Sequence, residues 1–287
     1  MRQLGIDLGG TRIKLAVLAD GRCVASDEAE TRSEEGPDAV LERIVALGRG
    51  AGTVDSVGIA VPGLFDDRGN VVLFPNLYGS WAGRQLLAPL EEGLGRPVRL
   101  VNDGHAFALA EATLGAGAGG TTVMCIVCGT GIGGGLALDG ALHLGPDGRA
   151  GEFGHHTVAE DGPVCRCGNR GCLELYAGAR AIAAAAGAGS FDEALAAART
   201  GDARAVEAIR RAGELIGLAA ANLVIFLCPD RVVVGGGVAL AGDFLFDPLR
   251  ASLEARARVA PLDRTAVVPA TLGPSAGAIG AALYAAG

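Results

Sequence analysis

Short runs in which apolar and polar positions alternate open the chain. "RQLGIDL", "RIKLAVLA" and "CVASDEA" are separated by glycine-rich or Asp-Gly turns, which predicts a meander of antiparallel strands. The period then changes. In "PDAVLERIVALGRG" the apolar residues recur at helical spacing. A strand "DSVGIAV", a loop "PGLFDDRGN", a helix near "RQLLAPLEEGLG", a strand "PVRLV" and a helix from His105 to Leu114 follow. Hairpins that lead into strand–helix–strand crossovers predict an α/β unit.

The same cycle begins again at "TTVMCIVCGTGIGGGLALDG", a strand, glycine turn, strand and Asp-Gly turn that repeats "GIDLGGTRIKLAVLADG" in outline. Ala-rich helices (Arg180 to Leu227), the strand "RVVVGGG", a helix, the strand "TAVVPA" and a closing helix "SAGAIGAALYAA" complete it. The repetition predicts a duplicated architecture with a cleft between the halves and no long linker. The expected division is a small α/β domain of residues 1–103 plus 276–287, and a larger one of residues 104–275.

Composition narrows the class. Half of the 287 residues are apolar, so a sizeable core can form, and 47 glycines cluster beside apolar runs as turns and close backbone approaches. The net charge of −8 argues against sequence-independent binding to nucleic acid or an anionic membrane, so a phosphate ligand must be held by local donors. The start has no signal-peptide pattern, and the longest apolar stretch, Leu215 to Cys228, is shorter than a bilayer span and contains Asn222. A soluble cytoplasmic protein is expected, in which thiols stay reduced and a disulfide staple is disfavoured.

Against that background "GHHTVAEDGPVCRCGNRGC" stands out. Cys165, Cys167 and Cys172 lie in a polar loop of Gly, Asn and Arg, shortly after His155 and His156. Three thiolates and one imidazole match a closed, tetrahedral structural zinc site, although spacing does not choose between the two histidines. "DLGGTRIK" places Asp7, Gly9, Gly10 and Thr11 in a tight turn whose backbone N–H groups and hydroxyl suit phosphate oxygens, with Asp7 able to hold magnesium through water. It is neither a Walker A loop nor a dinucleotide fingerprint. "CGTGIGGG" supplies a second such turn at Thr130 and Gly131, and "VVVGGGV" ends a buried strand on Gly235, Gly236 and Gly237, where a flat ring can approach the backbone. In "LVNDGHAFALAE", Asp103 is either a helix cap or a general base at a strand end. Glu152, His155 and Glu174 bracket the cysteine loop and suit a polyhydroxylated ligand, or else form solvated surface.

The order of these motifs closely resembles the ROK sugar kinases, which have the actin-like (sugar kinase/Hsp70) fold. The likeness runs from "DLGGTRIK" through "VPGLFDDRGN", "PNLYGSW", "VNDGHAFALAE" and "CGTGIGGG" to "GEFGHH", "CRCGNRGCLE" and "VVVGGGV". It implies a duplicated α/β fold, two domains around a cleft. It further implies that His155 joins Cys165, Cys167 and Cys172 on zinc and also touches the sugar. Gly63, Asn76, Asn102, Glu152 and Glu174 match the sugar-binding positions, and Asp103 matches the catalytic base. Gly9, Gly10, Thr11, Thr130 and Gly131 match the phosphate turns, with Gly235 to Gly237 on the adenosine side.

The activity implied is transfer of the γ-phosphoryl group of Mg-ATP to the 6-hydroxyl of a hexose, with domain closure excluding water and a homodimer as the assembly. By that resemblance Glu152 points to an unsubstituted, glucose-like ring rather than N-acetylmannosamine, and Trp81 resembles glucokinases, so glucose is expected, with N-acetylglucosamine, fructose or an amino-glucose such as kanosamine as alternatives. A sugar-responsive regulator is disfavoured, because Asp7 already lies in the phosphate turn. The chain departs from the family pattern at Arg12, at Gly104-His105, at His156 and in "TLGPSAGAIGAA".

Overall fold

The computed structural model describes residues 1–75 and 77–287. The chain divides into two compact units. The first comprises Met1–Leu114, Leu142–Ala150 and Leu272–Gly287, and the second Gly115–Ala141 and Gly151–Thr271.

In the first unit the opening meander forms as expected: β1 (Arg2–Leu8), β2 (Arg12–Ala19) and β3 (Arg22–Glu30). Helix α1 (Pro37–Gly50) starts on a proline and buries Val40, Leu41 and Ile44. Strand β4 (Ser56–Val61) follows, then β5 (Leu64–Phe65), β6 (Val71–Leu73), α2 (Leu87–Leu94), β7 (Val98–Asn102) and α3 (Asp103–Leu114). The five-stranded sheet has the order β3-β2-β1-β4-β7, with β4 parallel to both β1 and β7. Strands β5 and β6 form a separate ribbon inside what the sequence presents as a loop. Asp66 closes it by accepting from the Arg68 and Asn70 backbone N–H groups.

In the second unit β8 (Thr122–Cys128), β9 (Ile132–Leu138) and β10 (Ala141–Leu142) repeat the meander. Helices α4 (Glu174–Ala177), α5 (Ala179–Ala186), α6 (Phe191–Arg199) and α7 (Ala203–Leu227) come next, then β11 (Arg231–Gly235), α8 (Asp243–Arg256) and β12 (Ala266–Pro269). Its sheet order is β10-β9-β8-β11-β12, with β11 parallel to β8 and β12. The two sheets therefore share one topology: an antiparallel meander extended by two parallel strands. The duplication read from the sequence is a duplication of sheet order.

The last helix, α9 (Ala276–Ala286), returns to the first unit. It packs on β1 and β4 at positions where neither strand has a side chain. A Cβ on Gly5 would collide with the Ala278 carbonyl and one on Gly58 with the Ala281 carbonyl. Gly280 in turn lets α9 reach the Ala106 carbonyl of α3. The expected boundary at Asp103 coincides with the first residue of α3; this helix packs on α9, and the compact unit extends through it to Leu114. The apolar stretch Leu215 to Cys228 is the second half of α7 and its cap: Leu215, Ile216 and Ala219 to Ala221 are buried, Ile225 and Phe226 are exposed, and the helix stops with Cys228 in the left-handed conformation. No helix among the described residues is long and apolar enough to cross a membrane.

Because α9 rests on bare backbone, side chains there have nowhere to go. Gly58→Val is expected to lower the free energy of unfolding by about 2 kcal/mol or more, through overpacking. Urea unfolding followed by circular dichroism checks this, and a variant as stable as wild type would contradict the packing described.

Candidate functional site

Strand direction decides where the polar groups of the first unit gather. Since β1, β4 and β7 run parallel and adjacent, their carboxyl ends lie along one edge of the sheet. That edge carries Asp7 on β1, Gly63 just beyond β4, and Asn102 with Asp103 after β7. In open α/β sheets this is where ligands bind. Asp103 is the first residue of α3, is exposed, and accepts from the Gly104 N–H at 2.8 Å. Asn102 ties the edge together: its Oδ1 accepts from the Gly104 N–H at 2.9 Å and its Nδ2 donates to the Gly63 carbonyl at 3.1 Å. Asn76 lies outside the described residues.

The β1–β2 turn holds Gly9, Gly10 and Thr11. Its shape is set by the Gly9 N–H donating to the Arg12 carbonyl at 2.9 Å. Fully buried Thr31 braces it from behind, its hydroxyl donating to the Gly9 carbonyl at 2.7 Å. Asp7 stands beneath the turn, cross-strand from Lys14 and against α9, where a Cβ on Gly277 would sit 2.6 Å from Asp7 Oδ2. Burial pushes the Asp7 carboxyl up to about 6, against the pull of Lys14.

In the second unit the two glycine stretches meet. Gly236 presses on the Cys128 backbone so closely that a Cβ would overlap it, which sets Gly235–Gly237 against the β8 end that opens into Gly129, Thr130 and Gly131. That turn is held by α4 and α5: Ala179 N–H donates to the Gly129 carbonyl at 2.8 Å, and Glu174 Oε2 accepts from the Ile132 N–H at 3.1 Å. Gly131 lies directly on the Glu174 carboxylate. One carboxylate oxygen of Glu174 thus shapes the turn expected to meet phosphate.

The cysteine loop folds into a knuckle. Cys165 N–H donates to the Asn169 carbonyl at 2.7 Å and Gly168 N–H to the Cys165 carbonyl at 3.0 Å. One ligand atom from each of His155, Cys165, Cys167 and Cys172 comes within 4.8 Å of the others. Cys165 and Cys172 are buried while Cys167 is exposed. The two faces of the His155 ring are divided: Nδ1 lies 3.7 Å from Cys165 Sγ, and Nε2 lies 3.8 Å from Glu152 Oε2. At that distance Glu152 lies near Nε2 without a hydrogen bond to it, so one nitrogen of the ring faces the sulfurs and the other faces a carboxylate with room between them. Soft sulfur and imidazole donors at this separation fit zinc. The His156 ring turns away to pack on Phe153 at 5.2 Å, with its Nδ1 buried and unpartnered, and burial lowers its pKa.

The ROK family pattern matches residues 3–287. The chain belongs to the ROK family. Over 98% of its length it is 34% identical to a glucokinase of Thermotoga maritima, covering 96% of that protein. Among solved structures, a ROK hexokinase from Thermus thermophilus superimposes with a TM-score of 0.88 at 35% identity, covering 100% of this chain and 98% of that one. A ROK glucokinase from Streptomyces griseus, in complex with glucose and AMPPNP, gives 0.85 at 33% identity, covering 100% and 99%. The fold is the actin-like α/β type of these ROK proteins.

Sequence reasoning missed several residues that shape this ROK site. Thr31, behind the first glycine turn, carried no local signal, since its partners lie about twenty positions away. Trp81, expected only as a glucokinase-like feature, is a buried core residue packed against Phe74 at 5.3 Å, with its indole N–H donating to the Tyr78 carbonyl. Glu111 is fully buried and accepts from the Leu272 N–H at 2.8 Å, tying α3 to the turn before α9.

The raised pKa of Asp7 has a measurable consequence. Its stabilising contribution is fully present below the ordinary carboxylate value of 3.8 and is lost as pH rises through about 6. The cation-free protein loses about 3 kcal/mol across that window from this group, at 1.36 kcal/mol per unit. Asp7→Asn is therefore expected to melt above wild type at pH 7.5 without magnesium, with the gap closing near pH 4.5. A gap that does not depend on pH would refute the burial of this carboxyl.

Proposed function

We propose that the chain is an ATP-dependent hexose kinase whose preferred acceptor is glucose. The observation that carries this reading is the exposed Asp103 carboxylate just beyond the carboxyl end of β7, on the same sheet edge where β1, one strand further along past β4, brings Asp7 and the braced glycine turn. The full-length likeness to glucokinases supports glucose as the acceptor.

The Asp103 carboxylate accepts the proton of the sugar 6-hydroxyl as that oxygen attacks the γ-phosphorus of ATP. The bond from γ-phosphorus to the bridging oxygen of ADP breaks, leaving hexose 6-phosphate and ADP. Such transfers gain most from positioning and from neutralising charge, and little from covalent help. Backbone N–H groups of Gly9, Gly10, Thr11, Thr130 and Gly131 serve the phosphates, and Gly235 to Gly237 the adenosine. Asp7 would hold, through water, a magnesium ion brought with ATP, which would supply positive charge to the phosphates.

Gly63, Asn76, Asn102, Glu152, His155 and Glu174 are read as sugar contacts. His155, Cys165, Cys167 and Cys172 would hold a structural zinc, and His155, engaged through Nδ1, would keep Nε2 for a hydroxyl. The reading extends to a homodimer in the cytoplasm, as the family resemblance implies.

A screen of hexoses with ATP is expected to give the highest kcat/KM with glucose; no turnover of any hexose would overturn the proposal. Asp103→Asn is expected to lower kcat by a factor of about 10² to 10⁴ while glucose affinity changes little. Near-wild-type turnover would remove Asp103 from the base role. Elemental analysis is expected to find one zinc per chain, lost in Cys172→Ser, whose glucose affinity falls. Equal zinc in both proteins would refute the ligand set.

A further inference from the structure

His105 is the third residue of α3, two positions after Asp103, and its side chain is 2% exposed. A buried imidazole needs partners. Its Nε2 lies 2.7 Å from the Ala150 carbonyl oxygen, which can only accept, so the proton sits on Nε2. Ala150 is also the residue on which a short loop shuts: its N–H donates to the Leu144 carbonyl at 2.9 Å, and inside the loop Arg149 N–H donates to the Pro146 carbonyl at 3.2 Å. The loop of residues 144–150 is thus closed on itself and fastened to α3 by an imidazole.

That loop is a wall. A cavity of about 240 Å³ within the first unit has Leu144, Asp147 and Gly148 on one side and the stretch beginning at Gly63 on another, with Asn102 and His105 also lining it. Gly63 and Asn102 are both read above as sugar contacts, and they are bonded to each other. The Asn102 amide is held from two directions, by the start of α3 and by Gly63, so that side is rigid. The facing side depends on the His105 contact.

We propose that His105 is a positioning residue for acceptor choice: through the Ala150 carbonyl it holds the 144–150 wall of the cavity beside Gly63 and Asn102, and that wall excludes hexoses with a bulky substituent such as an N-acetylamino group. The proposal rests on the hexose-kinase reading and refines it. Removing the imidazole takes its donor from the half-buried Ala150 carbonyl and opens space at the buried His105 position, which loosens the wall without touching Asp103.

The test compares His105→Ala and His105→Gln with wild type, using glucose and N-acetylglucosamine at saturating Mg-ATP. Loss of one buried hydrogen bond predicts that His105→Ala raises the glucose KM about tenfold, keeps kcat within about twofold, and narrows the preference for glucose about tenfold. His105→Gln, whose amide N–H can reach the same carbonyl, is expected to recover most of both. A loss confined to kcat, an unchanged preference, or a Gln variant no better than Ala would overturn the proposal. If His105→Ala does not fold, His105→Leu, which fills the site without a donor, takes its place against His105→Gln. Calorimetric titration of glucose without nucleotide separates the two readings. An inactive wild type overturns the kinase reading, whereas unchanged glucose affinity in the donor-less variant overturns the role of His105 whatever the activity.

Discussion

The chemistry of the first unit depends on the close seating of α9. Its backbone lies on Gly5 of β1 and Gly58 of β4, and through Gly280 it meets α3 at Ala106. One helix therefore sets the spacing of two parallel strands and of the helix that begins with Asp103. The same seating brings Gly277 against Asp7, which removes that carboxylate from water and raises its pKa. Packing and electrostatics are here one constraint. A helix standing higher off the sheet would leave Asp7 solvated, and α3 would lose its support.

The second unit solves the equivalent problem with other residues. Gly236 lies on the Cys128 backbone and Gly131 on the Glu174 carboxylate, so the glycines of the two motifs are sites of close approach rather than loose joints. Glu174 illustrates how a polar group is fixed by the fold. Its Oε2 holds the Ile132 N–H, and with it the tip of the turn. A carboxylate restrained in this way offers a ligand a fixed acceptor, because the ordering cost has been met on folding.

Much of this was legible in the residues. Apolar runs and period-3.6 spacing locate β1, β2, β4, α1 and β7 closely, because each buries its apolar residues, while the almost wholly exposed β3 is marked by the Asp-Gly turn before it. The start of α3 lies two residues before the expected His105, since the Asn102 side chain accepts from the first helical N–H groups and lets the helix begin at Asp103. The β5–β6 ribbon escaped notice because Asp66 makes its turn, and its strands are too short to show a period. Thr31 and Glu111 were missed for a different reason. Their roles come from partners brought together only by the tertiary fold. The choice between His155 and His156 belongs to the same class: local spacing permits either, and only the packing of His156 on Phe153 turns the other ring toward the sulfurs.

The cysteine loop shows how far a metal-ligand pattern can be taken from its surroundings. Burial pushes the Cys172 thiol above its ordinary range, while the Asn169 N–H draws exposed Cys167 below it. A metal ion reverses the first of these, because a coordinating thiol gives up its proton to the ion. Folding of the knuckle and uptake of the ion are then linked, and the linkage passes through His155, whose Nδ1 faces the sulfurs while Nε2 faces Glu152. An ion that engages Nδ1 leaves the proton on Nε2 and fixes the ring plane. The imidazole then presents a donor of known direction next to a carboxylate acceptor, a complementary pair suited to a hydroxyl that both gives and receives a hydrogen bond.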